Sequence, residues 1–148
     1  MEILSAGTSG TSAENFFARL KDARASTVVD TRLHPDSQLA AFAKSRDLPY
    51  FLDSILGIGY TNEPLLYPEQ EMLTAYRKNE INWAEYEVRY VALLAKRDVE
   101  HRIDRTLWGE RPVLLCSEHT PDKCHRRLAA DYLREGWGES SVSRIVHL

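Results

Sequence analysis

Apolar positions along the chain follow two different periods, and their alternation predicts strands interleaved with helices. "EILSAG" is a short apolar run suited to a strand. "TSGTSAENFFARLKDA" follows, with Phe16, Phe17 and Leu20 on one helical face and Thr11 and Glu14 at capping-box spacing. "STVVDTR" predicts a second strand, rich in β-branched residues and ending in charge. Ser37 to Arg46 predicts a short helix through Leu39, Phe42 and Ala43, and "PYFLD" a third strand. "SILGIGYTNEPLLYP" has two glycines, two prolines and no period, so a loop is expected there.

From Glu69 onward the pattern is helical in two pieces, broken near "KNEIN". Asn82 can cap the second piece, with Glu85 three residues on. Trp83, Tyr86, Tyr90, Leu93 and Leu94 form a stripe at helical spacing, which predicts a core-facing surface rather than a platform for stacking bases. "RPVLLC" is a continuous buried run, and the helix expected over "PDKCHRRLAADYLREG" has Pro121 near its first turn and Gly136 at its end. "SVSRIVHL" closes the chain as a strand. This order implies one α/β domain over residues 1–148. The expected architecture is a three-layer, Rossmann-like sandwich around a mostly parallel sheet of about five strands.

Composition narrows the partners. With 43% hydrophobic and 28% charged residues, the chain of 148 residues can bury a substantial core. No apolar run reaches the roughly 18 to 20 residues of a membrane span, and "MEILSAG" is too short for a secretory signal. Two cysteines are too few for a disulfide framework, so a cytoplasmic protein is expected. A net charge of −3 argues against a surface coated with phosphate-binding cations. Yet 14 of the 19 cations are arginine, the side chain best suited to bidentate anion contacts.

The polar residues fall where three apolar strands end: Thr8 and Ser9, then Asp30 to Arg32, then Cys116 to His119. In open parallel sheets, ligands bind beyond the carboxyl ends of the strands, so neighbouring strands would bring these clusters to one rim. Asp30 and Arg32 share a strand face and can orient a ligand or pair with each other. Cys116 is a candidate nucleophile or a small buried hydrophobe, and Glu118 a candidate acid/base or a solvated loop residue. Cys124, His125 and Arg126 sit at a helix start, where free N–H groups favour anions. Arg126 can alternatively pair with an internal carboxylate. Metal binding by Cys116, His119, Cys124 and His125 is a rival reading, but no CxxC or HxxxH spacing occurs and Cys124 and His125 are adjacent. The site is therefore read without a metal, and no cofactor is assigned.

Taken in order, "SAGTS", "DTRLHPDS", "LG" at Leu56 and Gly57, and "LLCSE" followed by "CHRRLAA" resemble the family called domain of unknown function 488. The resemblance covers nearly the whole chain and implies a compact α/β fold. Its signature residues would be Asp30, Arg32, Cys116, Glu118, Cys124, His125 and Arg126, with no assigned activity. Thr8 stands where the family usually has histidine, and "QLAAF" replaces a longer basic stretch after Ser37. The reading is a cleft for an anionic, phosphate-bearing ligand, a nucleotide or nucleic-acid end. Arg32 and Arg126 would be the anion contacts, aided by Thr8, Ser9, Ser37, Cys124 and His125. Asp30, Cys116 and Glu118 are the candidates for chemistry. A non-catalytic module binding nucleic acid or protein, and a metal-binding protein using the Cys/His cluster, are the alternatives, and no membrane partner is expected.

Overall fold

The computed structural model describes residues 1–36 and 39–148. Five strands form a single all-parallel sheet: β1 (Glu2–Gly7), β2 (Thr27–Asp30), β3 (Gly59–Asn62), β4 (Pro112–Cys116) and β5 (Arg144–His147), in the order β3-β2-β4-β1-β5. The helices are α1 (Ala13–Asp22), α2 (Leu48–Leu56), α3 (Gln70–Arg77), α4 (Trp83–Arg97), the single turn α5 (Val99–Arg102) and α6 (His125–Trp137). No helix among the described residues is long and apolar enough to cross a membrane.

Strand alternation divides the interior into two cores. Leu4, Val28, Val113 and Leu115 face α1 and α2, while Ile3, Val29 and Leu114 face α3, α4 and α6. All five residues of β4 are buried, because strands lie on both sides of it and helices cover both faces. That environment suits the unbroken apolar run "PVLLC". Burying one leucine such as Leu114 contributes about 1.5–3 kcal/mol, so this strand anchors the fold.

Three elements differ from the sequence expectation. "PYFLD" lies inside α2, where Leu48 and Leu52 make one buried face and Gly57 ends the helix with φ 65°. An apolar run this short has no period of its own, and the contacts with α1 select the helix. Conversely, Gly59–Asn62, expected as loop, is the edge strand β3, held in register with Thr27–Asp30. Tyr60 and Thr61 suit a strand but Gly59 and Asn62 do not, and four residues are too few to show a period, so pairing with β2 defines it. The helix expected over 37–46 appears only as a 3-10 turn at Ala41–Ala43, with Ser37 and Gln38 outside the described residues.

Helix ends also shift. Ser12, not Thr11, caps α1 by accepting from the Asn15 N–H at 3.1 Å. Asn82 caps α4 as expected, accepting from the Glu85 N–H at 2.9 Å. The last helix starts at His125 rather than Pro121 and runs through Gly136 to Trp137.

Candidate functional site: a strand-end cleft

β2, β4 and β1 are consecutive in the sheet, so the three polar clusters meet at its carboxyl edge. The strand ladder continues past the strand ends: the Thr8 N–H donates to the Cys116 carbonyl and the Ser9 N–H to the Ser117 carbonyl. Gly7 permits this close approach. A Cβ there would lie 1.8 Å from the Glu118 carbonyl oxygen.

At the end of β2, Asp30 and Arg32 form a fully buried bidentate pair. Nε donates to Oδ1 at 2.8 Å and Nη2 to Oδ2 at 2.5 Å. The Tyr60 hydroxyl, supplied by the edge strand, donates to the same Asp30 Oδ2 at 2.6 Å. Asp30 also accepts from the Arg32 backbone N–H, so its carboxylate is committed to orienting Arg32. Burial alone would lower the Arg32 pKa, but hydrogen bonding and the charge of Asp30 outweigh it and the net direction is upward. Burial and the Asp30 bond likewise push the Tyr60 hydroxyl well above its usual range. One guanidinium nitrogen, Arg32 Nη1, is buried without a hydrogen-bond partner among the described residues.

Thr31 points to the opposite sheet face, toward α6. Its hydroxyl donates to the Leu115 carbonyl at 2.8 Å. The Thr31 carbonyl lies 2.9 Å from His125 Nε2. A carbonyl only accepts, so Nε2 carries the proton and Nδ1 faces Cys116 Sγ, 3.8 Å away. Cys124 joins this pair: the two sulfurs and a ring nitrogen of His125 all lie within 4.8 Å of one another, and all three residues are buried. Both thiols are free. A hydrogen bond from Cys124, then His125 and the Glu118 N–H, hold the Cys116 thiol well below its ordinary pKa. Burial and the neighbouring Cys116 push Cys124 in the opposite direction. For His125, burial works against the charged ring, but the charge and hydrogen bond of Cys116 exceed it and the pKa rises.

These groups open onto a cleft of about 140 Å³. Cys116, Cys124, His125 and Arg32 line its inner part, and Ser117, Glu118 and Lys123 come from the loop that follows β4. Tyr76 and Arg77 of α3, with Trp83 and Tyr86 of α4, line the other side. Trp83 stacks on Tyr86 at 5.1 Å between ring centroids, and Tyr76 meets Trp83 edge-on at 5.6 Å. The aromatic stripe thus divides: Tyr90, Leu93 and Leu94 serve the core, while Trp83 and Tyr86 also line the cleft.

The sequence-derived candidates take distinct places. Arg32, Cys116, Glu118, Cys124 and His125 line the cleft. Asp30 lies behind Arg32. Arg126 is fully buried beneath the loop, donating to the Glu118 carbonyl at 2.6 Å, the His119 carbonyl at 3.3 Å and Ser5 Oγ at 3.3 Å. Thr8 is buried and Ser9 exposed, and both use their N–H groups on the strand ladder rather than the cleft wall. His119 donates from Nδ1 to the Ser9 carbonyl, which ties the loop to the end of β1. Ser37 lies outside the described residues. Sequence reasoning did not reach Tyr60, Arg77 or Lys123. Tyr60 sits in a stretch without a strand signal, and the two cations look like any solvated helix or loop charge.

Fold and site together define a parallel α/β protein whose strand-end cleft is lined by cysteine, histidine and arginine. A family model described as "Domain of unknown function DUF488" matches residues 12–133, most of the chain, and the protein belongs to that family. No curated protein and no solved structure matches it.

Proposed function

We propose that the cleft binds an anionic, phosphate-bearing ligand, either a nucleotide or a nucleic-acid end, with Arg32 as its principal anion contact. The observation that carries this reading is the buried Nη1 of Arg32, without a partner among the described residues, in a group lining the cleft. A buried guanidinium N–H without an acceptor costs on the order of 1–3 kcal/mol, and an anionic ligand would recover it. Asp30 and Tyr60 hold the guanidinium in place before binding, so little conformational entropy is lost when the anion arrives.

Arg77 and Lys123 add exposed positive charge at the rim, and Trp83 offers a partly exposed ring against which a base can lie. Arg126 holds the loop carbonyls instead of the ligand. Glu118 stands exposed at the cleft wall, where its carboxylate can orient a ligand hydroxyl or accept a proton.

The test is calorimetric titration of metal-free, reduced protein with inorganic phosphate and a 5′-phosphorylated dinucleotide at low salt. Arg32→Lys keeps a cation beside Asp30 but loses the planar fork. It should weaken both ligands roughly ten- to a hundredfold, the loss of one charge-assisted hydrogen bond of about 1.5–3 kcal/mol. Lys123→Ala, at an exposed position, should weaken binding less and reduce its salt dependence. Equal affinity of Arg32→Lys and wild type, or no binding by either, overturns the reading.

A further inference from the structure

We propose that Cys116, Cys124 and His125 form a three-ligand site for a thiolate-preferring divalent metal of the zinc class, with its fourth position open to the cleft. The three-ligand set stands independently of the anion reading; only the approach of an anion to the open position rests on it. Two cysteines and one histidine with an open position is a donor set suited to a reactive rather than a purely structural ion.

Geometry carries it. Metal–sulfur bonds of about 2.3 Å and metal–nitrogen bonds of about 2.0–2.1 Å place tetrahedral ligand atoms on the order of 3.5–3.8 Å apart. Here Cys116 Sγ and His125 Nδ1 are 3.8 Å apart, and all three donor atoms lie within 4.8 Å of one another. The adjacency of Cys124 and His125 opposes shared ligation only if both residues have the same backbone conformation. Cys124 is extended at φ −138°, ψ 136°, while His125 is the first residue of α6, so the two side chains converge.

The surroundings are prepared in the same sense. His125 donates from Nε2 to the Thr31 carbonyl at 2.9 Å, which leaves the Nδ1 lone pair toward the sulfurs. A histidine held by a carbonyl through its far nitrogen is the usual arrangement behind a metal. Arg126 Nη1 approaches Cys124 Sγ at 3.6 Å, and an N–H donor at that sulfur stabilises it as a thiolate. All three ligands line the cleft that Arg32 also lines, so the remaining coordination position faces the proposed anion. With Cys116 held as a ligand, covalent attack by its thiolate is displaced. The cleft floor then presents an electrophilic centre.

The experiment uses the full chain, reduced and stripped of metal, titrated with Co(II). The expected result is one equivalent bound, with thiolate-to-metal charge-transfer absorption and the visible bands of a four-coordinate ion. Cys124→Ala and Cys116→Ala, checked for folding by circular dichroism, should each bind more weakly. The loss should reach at least the roughly ten- to hundredfold seen for outer-shell changes. Inorganic phosphate added to the Co(II) form should shift the visible bands, and Arg32→Lys should need more phosphate for the same shift. Absence of the charge-transfer band in wild type, or an undiminished band in either cysteine variant, overturns the site. Bands that ignore both phosphate and added imidazole, a neutral ligand that needs no anion contact, overturn its open position. Loss of metal binding would leave phosphate titration of the metal-free chain intact, so failure of one proposal is distinguishable from failure of the other.

Discussion

At the scale of single residues, the cleft depends on groups outside its lining. Arg126 carries the charge expected of an anion contact, yet it spends its donors on the carbonyls of Glu118 and His119. Those carbonyls belong to the turn between β4 and α6, and an arginine beneath them fixes the height of the cleft floor. Gly7 performs the complementary task by leaving room for the Glu118 carbonyl. Gly7→Ala should therefore destabilise the protein by about 3 kcal/mol, the upper part of the range for overpacking. Urea denaturation measures it, and a midpoint equal to wild type would show that the turn relaxes without cost. The sequence exposed Gly7 only as part of "SAGTS", because a close approach between distant backbones leaves no mark on local pattern.

At the scale of elements, long periodic segments were legible and short ones were not. α4 has fifteen residues, a side-chain cap at Asn82 and an apolar stripe, and its start matched the expectation. Asn82→Ala should cost about 1 kcal/mol by leaving the Glu85 N–H without its acceptor, seen as a lowered unfolding midpoint with an unchanged denaturant slope. An undisturbed midpoint would mean that packing, including that of Trp83 and Tyr86 against Tyr76 of α3, sustains the first turn. By contrast, α2 and β3 are nine and four residues long, and both were misread. Their identity depends on what lies beside them. "PYFLD" is apolar enough for either structure, and α1 offers it a helical surface; "GYTN" is hardly a strand until β2 supplies a hydrogen-bonding edge. The cost of missing β3 was Tyr60, the residue that steadies Asp30.

At the scale of the whole molecule, strand order controls both stability and site. Central β4 is buried throughout, whereas β3 and β5 at the two edges are partly exposed along their lengths. Native-state hydrogen exchange should find the slowest amides in β4 and β1 and markedly faster exchange in β3 and β5. Equal protection of β3 and β4 would contradict a cooperative unit centred on the middle strands. The same order brings the ends of β1, β2 and β4 together, so the most buried part of the sheet carries the cleft. A guanidinium aimed by a buried carboxylate and a sulfur–imidazole cluster gain precision from such support.

By itself, the sequence determined the alternating α/β order, the position of the buried strand "PVLLC", the Asn82 cap and the residue types at three strand ends. These follow from local period and local chemistry, which neighbours in the chain are enough to specify. Tertiary structure decided the rest. It made the sheet wholly parallel, turned "PYFLD" into helix and "GYTN" into strand, and divided the arginines between cleft wall and loop support. It also converged Cys116, Cys124 and His125 despite a spacing that argues against a shared ion. The physical reason is common to all of these. Each depends on which distant backbone or side chain supplies a hydrogen bond or a packing surface, and that partner is chosen only when the sheet assembles.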